Sequence, residues 1–131
     1  MDQNFTRSVL SWYDAGHRDL PWRRTKDAYR IWVSEIMLQQ TRAETVVSYY
    51  ERFLARYPDV RALADAPEEE LLKAWEGLGY YSRARLLQKA ARAIVSQYGG
   101  ELPADLKKLR ALPGVGDYTS GAIASIAFGI P

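Results

Sequence analysis

Val46, Val47, Tyr50, Phe53, Leu54 and Tyr57 recur at the spacing of a single helical face, and Pro58 follows them. A 3.6-residue apolar period makes a helix with one side that must be buried, so other elements have to cover it. The rest of the chain supplies more helices rather than strands. Phe5, Val9, Trp12 and Tyr13 mark a first helix that Gly16 ends. A charged loop broken by Pro21 leads to a helix expected over 30–41. Val60 to Ala64 forms a short one, and Pro67 suits the first turn of another, with Glu68, Glu69 and Glu70 at its positive end and Leu71, Leu72 and Trp75 on its buried side. After Gly77-Leu78-Gly79 a long helix carries Ala84, Leu87, Ala91, Ile94 and Tyr98, and Gly99-Gly100 closes it. Leu106, Leu109 and Leu112 mark a short helix, and Ala122, Ile123, Ile126 and Ala127 a last one. No segment alternates with period two for long enough to be a strand. The fold class is all-α, and 131 residues suffice for one domain with a core.

Composition narrows the chemistry. The chain has no cysteine, so it holds neither a disulfide scaffold nor thiolate ligands for zinc or an iron–sulfur cluster. Its one histidine, His17, makes no metal site alone. The N-terminus lacks the apolar core of a signal peptide, and no apolar run approaches the roughly 18 residues of a membrane span. A cytoplasmic, nucleoid-associated protein that touches no membrane is expected. A net charge of +2 permits nucleic-acid binding without demanding it. The apolar end, Phe128-Gly129-Ile130-Pro131, reads as a larger protein cut short.

Two constellations carry chemistry. Leu112-Pro113-Gly114-Val115-Gly116 lies between two helices. Proline stops the first, and the glycines let the backbone turn sharply and approach another molecule. The next helix then starts with free amides and a positive dipole end, a place for one DNA phosphate. The same residues also read as an ordinary tight connection. The second constellation is Glu35 within Ile31-Trp32-Val33-Ser34-Glu35-Ile36-Met37-Leu38. Glu35 shares a face with Ile31 and Leu38, and a carboxyl desolvated by apolar neighbours keeps its proton to higher pH, as a general acid must. Alternatively its side chain reaches past the apolar face to solvent.

Three segments in order carry a resemblance: Trp32-Val33-Ser34-Glu35-Ile36-Met37-Leu38-Gln39-Gln40-Thr41, then Gly77-Leu78-Gly79-Tyr80-Tyr81-Ser82-Arg83, then Leu112-Pro113-Gly114-Val115-Gly116. Over essentially its whole length the chain resembles the adenine DNA glycosylase family of the helix-hairpin-helix (HhH-GPD) base excision repair superfamily. The resemblance implies a six-helix barrel with a helix-hairpin-helix motif over 19–131. It also implies an N-terminal helix, 1–18, belonging to a separate cluster-bearing lobe. The family removes adenine mispaired with 8-oxoguanine or guanine in double-stranded DNA. By resemblance Glu35 protonates N7 of the extruded adenine, and Tyr118 supports the carboxylate and the developing sugar cation. Gln40 and Tyr80 enter the duplex, and Trp22 and Arg23 line the adenine pocket. Leu38, Gln39, Thr41, Tyr81, Arg83, Pro113, Gly114, Val115 and Gly116 complete the expected DNA and substrate contacts. The carbonyls of Arg110, Leu112 and Val115 are expected to hold a monovalent cation beside the phosphate.

The resemblance also says what to expect of a fragment. The related endonuclease III places a nucleophilic lysine early in the helix after the hairpin. Tyr118 stands there and has no amine for a Schiff base, while Lys107 and Lys108 precede the hairpin, so a monofunctional glycosylase is implied. The family's catalytic aspartate has no match, and Asp117 reads as a helix N-cap. The four cysteines of the family's [4Fe-4S] cluster are missing too. The expectation is a chain that binds DNA, excises little or nothing alone, and carries an N-terminal helix that is mobile, repacked or paired with a second copy. Two other readings are a non-catalytic helix-hairpin-helix scaffold module and a protein-interaction domain with a degenerate hairpin.

Overall fold

Asp27 opens the first helix of the computed structural model, which describes residues 20–131. Its carboxylate accepts the Arg30 amide at 3.0 Å, one of the first-turn amides that no helical carbonyl can reach. Helix α1 runs over Ala28–Leu38 and buries Tyr29, Ile31, Trp32, Val33, Ser34, Ile36 and Met37. A helix apolar nearly all round belongs in the middle of a fold. Accordingly α1 packs against α2 (Ala43–Arg56), α5 (Tyr81–Tyr98) and α7 (Asp117–Phe128). It ends three residues before the expected Thr41: Gln39 is already extended, with ψ of 116°, and Gln40 then adopts a left-handed backbone with φ of 63°.

The remaining helices follow the apolar stripes. In α2, Val46, Tyr50, Phe53 and Leu54 are buried, and the ring of Phe53 meets that of Trp75 edge-on at 6.0 Å. Helices α3 (Val60–Asp65) and α4 (Glu68–Trp75) follow; Pro67 stands at the N-cap of α4, just before its first turn. Helix α5 packs along α3 and is stitched to it by Gln88, which is buried and donates to the carbonyls of Leu63 and Ala66 at 3.1 and 2.7 Å. Gly99, with φ of 68°, ends α5, as its lack of a side chain allows. Helix α6 (Leu106–Arg110) leads through the hairpin into α7. All seven helical stripes after residue 19 are present, and no strand occurs among the described residues.

Two expectations change. Asp117 is the first residue of α7 and Gly116 is the N-cap, so the Asp117 carboxylate does not cap the helix. It pairs instead with Arg110 across the hairpin, at 3.6 Å. Ile126, one of the residues that mark this last helix, is 46% exposed rather than on its buried side, where Ile123 and Ala124 lie. The N-terminal stripe, His17 and the dimer expected through that stripe lie outside the described residues. No helix among the described residues is long and apolar enough to cross a membrane.

Candidate functional site

A cavity of about 610 Å³ opens where α1, α7 and the 3-10 turn Pro21–Arg23 meet. From α1 it receives Ile31, Ser34, Glu35 and Leu38, one face of the helix, together with Gln39 just beyond its end. From α7 it receives Tyr118, Ala122 and Ile126, which recur every fourth residue and so line up on one side. Trp22 and Arg23 close the third wall with Thr25. Trp22 is fixed there by an edge-on contact with Tyr50 at 5.3 Å.

Glu35 faces this cavity and is partly buried. Burial raises its pKa above the ordinary carboxylate value, because an ionised carboxylate loses hydration there. The nearby Arg23 guanidinium opposes the rise but is the smaller influence. Apolar Ile31, Leu38, Ala122 and Ile126 offer nothing in place of water. Tyr118, 78% exposed, lines the same cavity as Glu35 and stands in the first turn of α7. The aromatic ring after the hairpin and the acid of the central helix therefore share one space.

The hairpin adjoins this wall. Leu112 and Val115 are buried, and the Val115 amide donates to the Leu112 carbonyl at 3.1 Å, closing the turn. Pro113 is half-buried and Gly116 exposed between them and α7. Gly114 has φ of 74°, and a β-carbon there would meet the Cβ of Leu86 at 2.9 Å. Both backbone angle and space require glycine. Helices α1, α3 and α6 are each capped by an aspartate side chain, Asp27, Asp59 and Asp105. Helix α7 has no side-chain cap, which leaves its first-turn amides free of an internal acceptor.

Gln40 and Tyr80 stand on two turns outside the cavity. Both are exposed, and they are the two non-glycine residues with positive φ, 63° and 52°, among the described residues. Such backbone costs about 1–2 kcal/mol per residue, so surrounding contacts must hold it. Trp75 donates its indole N–H to the Gly79 carbonyl at 3.1 Å, and Tyr49 its hydroxyl to the Glu76 carbonyl at 2.8 Å. Thr41 is half-buried after Gln40, and Tyr81 is 39% exposed as the first residue of α5. Arg83, expected among the DNA contacts, turns inward onto backbone carbonyls.

Sequence reasoning missed Thr25, Ser34, Ala122 and Ile126 as cavity residues. The Tyr118, Ala122, Ile126 spacing was a usable signal; Thr25 sits in an irregular loop and left none. With no cysteine in the chain, these residues do not fit an iron–sulfur cluster.

The profile described as "HhH-GPD superfamily base excision DNA repair protein" matches residues 33–129. An adenine DNA glycosylase of Rattus norvegicus is 53% identical over 95% of this chain, which spans only 26% of that relative. A solved structure of a thermostable thymine-DNA glycosylase superposes with a TM-score of 0.81 at 35% identity, covering 97% of this chain and 59% of the other. A non-covalent endonuclease III–DNA complex superposes with a TM-score of 0.75 at 25% identity, covering all of this chain and 62% of that one.

Proposed function

Because the chain belongs to the HhH-GPD superfamily of base excision DNA repair proteins, we propose that it is the DNA-gripping and proton-donating part of an adenine DNA glycosylase. The observation that carries this reading is the shared cavity of Glu35 and Tyr118, beside a hairpin that ends in an uncapped helix. The substrate is double-stranded DNA with adenine opposite 8-oxoguanine or guanine. The hairpin, Pro113 to Gly116, takes a backbone phosphate on the free amides of α7, with no reading of sequence. A monovalent cation on the carbonyls of Arg110, Leu112 and Val115 neutralises part of that phosphate's charge.

Adenine swings out of the stack into the cavity, against Trp22, Arg23 and Leu38. Gln40 and Tyr80 occupy the opened duplex, flanked by Gln39, Thr41 and Tyr81. Glu35, whose proton is held more firmly because burial disfavours its charged form, donates to N7 of the base. The bond between the sugar and the base then breaks with its electron pair leaving on the now neutral adenine. Positive charge develops on the sugar, faced by the Tyr118 hydroxyl; water adds there and passes its proton to the Glu35 carboxylate, a step for which this chain, with no match to the family's catalytic aspartate, is expected to be inefficient alone. Nothing in this sequence needs an amine nucleophile.

A non-catalytic DNA-binding module would need the hairpin but not an acid in an apolar cavity; Glu35 therefore favours the glycosylase. The test uses a duplex with 2-aminopurine opposite 8-oxoguanine, whose fluorescence rises when the base leaves the stack. Addition of the chain is expected to raise that signal, and Trp22→Ala to reduce the rise. Salt-dependent binding with no fluorescence change in the unaltered chain would leave only the scaffold module.

A further inference from the structure

Arg83 is a cation in a segment expected to meet DNA, yet its guanidinium is half-buried, with both terminal nitrogens bonded to the protein's own backbone and Nε buried without a partner. Nη1 donates to the Ile36 carbonyl at 2.7 Å and also to the carbonyl of Gln39. Nη2 donates to the carbonyls of Leu78 and Gly79, each at 3.5 Å. The guanidinium carbon lies 5.3 Å from the centre of the Tyr80 ring and 5.8 Å from that of Trp75. Ile36 and Gln39 end α1 and lead into Gln40. Leu78 and Gly79 lead into Tyr80. Among the described residues, every side-chain hydrogen bond joining these two stretches runs through Arg83.

The chemistry suits the task. The last carbonyls of a helix lack partners and carry the negative end of its dipole, so a cation is favoured there. A planar fork with five donors can serve two strands of backbone at once and still lie against an aromatic ring, which an ammonium cannot. The two turns so joined carry the two strained non-glycine residues among those described.

We propose that Arg83 is a positioning residue that locks the Gln40 and Tyr80 turns together, so that they enter DNA as one preorganised wedge. It is not a phosphate ligand. The proposal rests on the reading of those two turns as the parts that enter the duplex.

The test compares the unaltered chain with Arg83→Lys, which keeps the charge and loses the fork. In the DNA-free chain, amide hydrogen exchange in 36–41 and 76–81 is expected to rise together by about tenfold, with the middle of α5 unchanged. With the 2-aminopurine duplex, Gln40→Ala and Tyr80→Ala are expected to be coupled by about fivefold in the presence of Arg83. In Arg83→Lys the two are expected to act independently. In Arg83→Gln, which removes the charge, the slope of log affinity against log salt should stay the same, whereas loss of a phosphate contact would reduce it by about one.

A reduced slope with unchanged exchange overturns the proposal, as does a rise in only one stretch. Should Arg83→Lys not fold, the cycle between Gln40→Ala and Tyr80→Ala in the presence of Arg83 decides, and additivity overturns it. Absence of any base extrusion by the unaltered chain defeats the proposed function instead. The exchange measurement then decides alone whether Arg83 joins the turns.

Discussion

Glu35 sits on the most regular stretch of this protein, and Gln40, Tyr80 and Gly114 sit on the least regular. In α1 the backbone is ordinary and one side chain is out of place, a carboxyl among apolar neighbours. In the turns the side chains are unremarkable and the backbone is out of place, with positive φ at Gln40, Gly77, Gly79, Tyr80 and Gly114. The two regions divide the labour of the proposed reaction, proton donation on one side and grip on the other. They also differ in how they can fail. The acid can be exchanged without disturbing the helix that carries it, because its neighbours never depended on its charge. The turns are altered at a cost where glycine is required, because a β-carbon at Gly77 or Gly114 meets a neighbour at an angle other residues rarely adopt.

The sharpest attack on that contrast is Glu35→Gln, which should leave the fold intact. In a polypeptide that carries these residues and excises adenine, single-turnover excision is expected to fall by about 10³-fold, the usual scale of a lost general acid. A rate within a few fold of the parent would remove Glu35 from the chemistry. Gly77→Ala should do the reverse and strike stability. The added β-carbon would sit 1.9 Å from the Tyr49 hydroxyl at a φ of 99°. Urea unfolding is expected to show a loss of roughly 3 kcal/mol. Tyr49→Phe in the same chain should return part of it by removing the clashing oxygen; no recovery would locate the damage in the backbone angle alone.

A smaller effect is expected at the hairpin. Gly114→Ala forces a strained angle and presses on Leu86, so duplex affinity should fall about tenfold, equally for every sequence tried. A loss confined to one sequence would mean that the hairpin reads bases. The smallest effect is in the pH dependence of stability. Burial raises the folded-state pKa of Glu35 above its unfolded value. The stability this contributes is complete below the unfolded value and is lost as pH rises through the folded one. Glu35→Gln is therefore expected to be the more stable form at neutral pH, by a margin that closes as pH falls to about 4. Chemical denaturation at several pH values checks this, and parallel curves would mean that Glu35 is better hydrated than the cavity suggests.

The same contrast explains what could be read from the residues in advance. Apolar stripes report regular helices directly, so α1 to α7 were legible, and Gly99 and Gly114 marked turns because few other residues tolerate their angles. Gln40 gave no such sign. Its neighbours continue a helical pattern, and the turn after α1 is tied to Arg83 through the Ile36 and Gln39 carbonyls, 47 and 44 positions away in the chain, contacts no local pattern encodes. Asp117 misled for a related reason: an aspartate after a glycine is a good cap by composition, but the cap falls at Gly116 and Arg110 takes the carboxylate. Glu35 was legible as a misfit in an apolar run, and its direction became clear only once α7 had brought Tyr118, Ala122 and Ile126 opposite.

Helix α1 touches α2, α5 and α7 and exposes almost none of itself. The acid it carries thus has no private environment: its setting is inherited from the assembled interior. Partial melting of α7, which supplies the opposite wall, would wet the carboxyl and return its titration toward that of a free glutamate. A single proton equilibrium followed by isotope-resolved spectroscopy would in this protein serve as a gauge of whether α7 has closed against α1.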